Sequence, residues 1–187
     1  LSTEQHLEDS LRMQAIDFER NHLRKLFQRG YISEGVYFEF EAELDLQEDA
    51  IEYPEISPTR VVNSDGLIDA SKSFRKRARQ VRELVSKLGF IKGFGIISEK
   101  RVVHERLELL WARIICSQEV VKNLNEIESV FGNKQKVHGT IAKVMSEYVQ
   151  FTDQNRDKVR VLKNRYPKYV REYFQGVVDS FVLKNIS

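Results

Sequence analysis

Apolar residues recur along this chain at intervals of three and four, with charged residues between them. Leu7, Leu11, Ile16, Leu23 and Phe27 mark a first amphipathic helix over 3–29. Val36, Phe40, Leu44 and Ala50-Ile51 mark a second over 33–52. The letters between them read as a stop and a start set back to back. Arg29-Gly30 places a cation in a last turn and a glycine where the chain can turn left-handed. Ser33 offers an N-cap oxygen, and Glu34 sets a negative charge in the next first turn. The pattern predicts an αα-hairpin with a loop of a few residues.

Beyond the hairpin, two prolines and the turn-forming run Asn63-Ser64-Asp65-Gly66 make 53–70 the expected linker. Residues 71–88 read as a basic amphipathic helix, with Phe74, Ala78, Val81, Val85 and Leu88 on one face and Gly89 as the stop. A loop with apolar anchors over 90–97 follows. Over 98–131 a long helix is expected, capped by Ser98. Its Leu107, Leu110, Ile114, Val121, Leu124 and Phe131 follow a seven-residue repeat that Ser117 and Glu128 break. Two breaks argue for bundle packing over a sustained coiled coil. A further helix over 137–165 turns Ile141, Val144, Tyr148, Phe151 and Leu162 inward. Pro167 then suits the first turn of a last helix, with Val170, Phe174, Val177, Val178 and Phe181 inward. The expected architecture is all-α: an N-terminal helical hairpin over 1–52, a linker over 53–70, and a bundle of long antiparallel helices over 71–187.

Composition agrees with long helices, since only 9 glycines and 3 prolines interrupt 187 residues. One cysteine, Cys116, excludes an internal disulfide and suits a reducing compartment. The sequence contains no run of about 18 apolar residues that would cross a bilayer, and no signal peptide is visible. A first residue of Leu rather than Met fits either an excised piece or a cleaved tag.

The net charge of +2 hides two opposed blocks. Eight acidic residues and no Lys or Arg lie between Glu39 and Glu55, whereas eight basic residues and one acid lie between Lys72 and Lys92. Lys72, Arg75, Lys76, Arg79 and Arg82 share a broad helical face and form the candidate lipid- or partner-binding surface. Glu41, Asp45, Glu48 and Asp49 form the candidate acidic docking face. A solvated face is the simplest reading of both blocks, and docking of one on the other the next. The basic face also suits a membrane surface, a calmodulin-like partner or nucleic-acid phosphates. Few aromatics interleave its charges and the whole chain is near neutral, which disfavours nucleic acid.

No constellation predicts catalysis, a metal or a cofactor. His6, His22, His104 and His138 are scattered, and His104-Glu105 lacks the second histidine of the zinc motif His-Glu-x-x-His. The glycines at 89, 93 and 95 lack the Gly-Lys-Ser/Thr of a phosphate loop. The carboxylates of the acidic block lie along a helix and fan outward, unlike a calcium loop. Cys116 reads as a buried inert thiol, and Trp111 as core.

One stretch resembles a known family. Leu23, Leu26, Gly30, Ile32-Ser33, Tyr37 and Glu43-Leu44-Asp45 follow a pattern similar to the start of the cytosolic C-terminal tail of sodium/proton exchangers of the cation:proton antiporter family. The likeness covers about thirty residues closely; the rest agrees only in kind. It implies a non-enzymatic regulatory or dimerisation domain on the cytoplasmic side of the cell membrane. Its partners would be the membrane transport domain of the same polypeptide and a second copy of itself, with an anionic lipid surface as a further contact. Transport residues would lie in that membrane domain, and none is carried over here. The alternative from the residues alone is a free-standing helical adaptor that uses the basic helix.

Overall fold

The computed structural model describes residues 3–53, 99–131 and 135–186. Among them are five α-helices and no strand: α1 (Thr3–Gln28), α2 (Glu34–Glu52), α3 (Glu99–Phe131), α4 (Gln135–Arg165) and α5 (Pro167–Ile186). The linker and the basic helix expected over 53–88 lie outside the described residues from position 54 on, as do the glycines at 89, 93 and 95 and the Ser98 cap.

The turn between α1 and α2 follows the glycine. Gly30 has φ 64°, in the left-handed region. Its N–H donates to the Phe27 carbonyl at 2.8 Å, and the Tyr31 N–H donates to Leu26 at 2.9 Å. These two bonds satisfy carbonyls that the end of α1 leaves open, in a Schellman motif. Leu26 and Tyr31 then meet in the core beside Ile32. The expected Ser33 cap differs in detail. Ser33 does hold the extended N-cap backbone, but its side chain makes no capping hydrogen bond. Its backbone N–H donates instead to the Glu108 carboxylate of α3, so the turn is anchored from a neighbouring helix.

α3 is the axis of the fold. Its 33 residues span about 50 Å, enough to carry three apolar clusters in succession. Near its start, Val103 and Leu107 pack on Val170 of α5, with Leu162 of α4 alongside. Further along, Leu109, Ala112 and Cys116 meet Ile16, Leu23 and Leu26 of α1 and Val36, Phe40 and Leu44 of α2. Towards its end, Val120 and Leu124 meet Leu11 and Ala15 of α1 and Ile141, Val144 and Tyr148 of α4. α1 therefore runs antiparallel to α3 and contributes to two of its clusters, and α5 covers the opposite end. The hairpin expected over 1–52 thus shares its core with α3 and α4. Among the described helices, α2 touches α1 and α3.

Two inward assignments change. Ile114, expected in the seam, is half-buried and outside the three clusters, and Val178 is 54% exposed; Val121 packs against the cluster of Val120 and Leu124 as expected. Ser117, read as a break in the repeat, is fully buried.

Candidate functional site: polar groups between the helices

Arg20 gathers the acidic block. It lies on α1, and its guanidinium is 3.1 Å from Glu41 and donates to Asp45 and Glu48 at 2.8 Å each. Three of the four residues of the expected acidic docking face are therefore brought together around a cation of α1, rather than fanning outward. Asp49 lies one turn on, and its carbonyl accepts the Tyr53 N–H at 2.8 Å. Lys72, Arg75, Lys76, Arg79 and Arg82 lie outside the described residues.

A second cation ties the hairpin to the rest of the fold. Arg113 of α3 grips Glu43 of α2 with both arms of its fork, Nε donating at 3.1 Å and the terminal nitrogen to the other carboxylate oxygen. Both side chains are largely shielded, at 11% and 14% exposure. Between α1 and α4, Arg12 donates to Glu147 at 2.7 Å and Lys143 donates to both oxygens of Glu8 at 2.8 Å.

Inside these pairs sits a carboxyl that no cation among the described residues pairs with. Glu19 of α1 is 1% exposed. The Tyr148 hydroxyl of α4 donates to it at 3.2 Å, and the Ser117 hydroxyl of α3 reaches it at 3.5 Å. Burial pushes its pKa up to about 8, and the negative Glu43 adds to the rise; the bonds from Tyr148 and Ser117 and the charge of Arg113 oppose it only in part. A carboxyl in that setting carries its proton at neutral pH. Burial likewise pushes the Tyr148 hydroxyl and the Cys116 thiol far up, with Glu19 adding to both, so Cys116 supplies no thiolate for chemistry.

At the other end of the turn, a cleft of about 530 Å³ opens between Tyr31, Ser33, His104, Glu108, Glu172 and Tyr173. Three of its polar side chains already have protein partners, whereas the buried Tyr173 hydroxyl has none among the described residues. Glu108 accepts from Ser33, Glu172 lies 2.6 Å from the Lys100 ammonium, and His104 Nε2 donates to the Tyr169 carbonyl at 3.0 Å. Among the described residues, no group of three or more His, Cys, Asp or Glu converges as a metal site. No helix among them is long and apolar enough to cross a membrane.

Sequence reasoning missed Glu19, Arg20 and Arg113, yet signals were present. Glu19 fills the three-then-four spacing between Ile16 and Leu23, an acid set on an apolar stripe. Arg20 is found by folding the chain at the turn: Phe27 and Tyr37, five residues either side of Ile32, stack at 4.6 Å. The same fold brings Arg20 opposite Leu44, with Glu41, Asp45 and Glu48 within a turn on either side. Arg113 carried no comparable signal, because its partner lies 70 positions away.

No family model matches the chain, and neither a curated protein nor a solved structure matches it.

Proposed function

We propose that this chain is the cytoplasmic regulatory or dimerisation domain of a sodium/proton antiporter, modulating monovalent cation/proton exchange carried out by a membrane domain of the same polypeptide. The observation that supports the reading is where the antiporter-like residues fall. Leu23, Leu26, Ile32 and Leu44 are buried in the cluster that joins the hairpin to α3, and Gly30 makes the left-handed turn. Asp45 pairs with Arg20 inside the hairpin, whereas Glu43 reaches past it to Arg113. The stretch of likeness thus builds the joint through which a motion entering at the hairpin would pass to α3. A domain of this kind influences transport only if its contacts differ between the transport states, or if dimerisation couples two transporters.

Sodium-driven proton flux tests the reading. The full gene product would be reconstituted in vesicles with and without residues 1–187. Flux should persist without the domain but change its dependence on pH or cation concentration. A full gene product that does not fractionate with membranes, or that carries no such flux, excludes the reading and favours the free-standing adaptor. A steep salt dependence of nucleic-acid binding would then identify phosphates as the adaptor's target.

A further inference from the structure

Glu19 of α1 is bonded from both α3 and α4, through Ser117 and Tyr148. The groups facing it are Glu43 from α2, Arg113, Cys116 and Ser117 from α3, and Tyr148 from α4. From the outer seam, Glu147 and Arg12 act on Tyr148. Arg113 is held in the bidentate pair with Glu43. Among the described residues, no cation forms an ion pair with Glu19, and two neutral hydroxyls at 3.2 and 3.5 Å are weak compensation for a buried charge.

We propose that Glu19 is a proton-operated latch: its proton keeps the α1–α2 hairpin seated on α3 and α4, and loss of that proton as pH rises loosens the hairpin. The ionised carboxyl is well stabilised only by hydration, and hydrating it means separating α1 from α3 and α4. The remainder of the fold tolerates that separation. α3 and α4 pack along their length, and the cluster they form with α5 contains no residue of α1 or α2. α2 has no contact with α4 or α5 and leaves with α1. The latch does not depend on the antiporter reading; it operates in any chain with this packing.

The single tryptophan reports on the seam. Trp111 lies on α3, packed against the cluster that α1 and α2 cover. Its fluorescence would be followed in the intact chain from about pH 4.5 to about pH 9, a range that spans the ordinary and the raised pKa of Glu19. The expected result is a shift of emission to longer wavelength that develops between those two values and levels off above about pH 8. Glu19→Gln, neutral at every pH, should hold the low-pH emission throughout. Tyr148→Phe removes a hydrogen bond that seats α1 on α4 and should move the midpoint to lower pH. A flat wild-type profile, a transition that persists in Glu19→Gln, or a midpoint that does not move in Tyr148→Phe would each overturn the latch.

Discussion

Tyr148 of α4 donates its hydroxyl to the carboxyl of Glu19 of α1 at 3.2 Å, in a site from which water is excluded. Neither group alone is unusual in a helical bundle. Together they place a titrating hydrogen bond across the contact that seats α1, with Ser117 completing it from α3.

The first consequence is a stability that falls as pH rises. The pKa of Glu19 goes from an ordinary 4.5 to about 8 on folding, so between those values the folded state binds the additional proton. The stabilisation from that proton is complete below about pH 4.5 and is lost as pH rises to about 8. Over that window the slope from this group is about 1.4 kcal/mol per pH unit. Glu19→Gln removes the slope. Urea unfolding of both chains at the two ends of the window should show a difference that grows with pH, with the variant gaining relative to wild type.

The two arginine anchors should differ in weight. Arg113 and Glu43 are both shielded, and Arg113→Ala takes from Glu43 both hydrogen bonds of the guanidinium fork. A loss of about 3–5 kcal/mol is expected in chemical denaturation. Arg20→Ala should cost about 1 kcal/mol, because the Asp45 side chain is 63% exposed and water takes over much of the pairing. Only the Arg20 contribution should shrink markedly in high salt.

Gly30→Ala tests the turn. A Cβ at φ 64° is disfavoured by about 1–2 kcal/mol. The two Schellman hydrogen bonds would be retained at that cost, so the melting temperature should fall while the helical circular-dichroism signal stays close to wild type.

Leu23→Ala tests the core. Leu23 is fully buried at the meeting of α1, α2 and α3, and its truncation should cost about 2–5 kcal/mol by equilibrium unfolding. The same change at Val161, which is 64% exposed, should be close to neutral.

How much of this was legible in the sequence depends on the range of the interaction. Local signals carried well: Gly30 ends α1, Pro167 opens α5, and the breaks at Ser117 and Glu128 lie where the repeat fails. The breaks argue for bundle packing over a coiled coil, and in the structure each also holds a polar partner. Ser117 bonds Glu19, and Glu128 pairs with His138 at 2.6 Å. Periodicity records that a position is not apolar, but not what faces it from another helix. For the same reason the acidic block of α2 read as an outward-facing surface. Its pairing with Arg20 follows from the hairpin register, and the Arg113–Glu43 pair needs α3 brought alongside, which no local pattern encodes.

The central claim is that Glu19 keeps its proton inside the folded bundle at neutral pH. The most direct measurement is the carboxyl ¹³C chemical shift of Glu19, assigned by comparison with Glu19→Gln and followed through a pH titration. A midpoint near 8 is the predicted result. A midpoint at the ordinary value near 4.5 would contradict the account, since it would mean a carboxylate already ionised and solvated where the structure shows it enclosed by Ser117 and Tyr148.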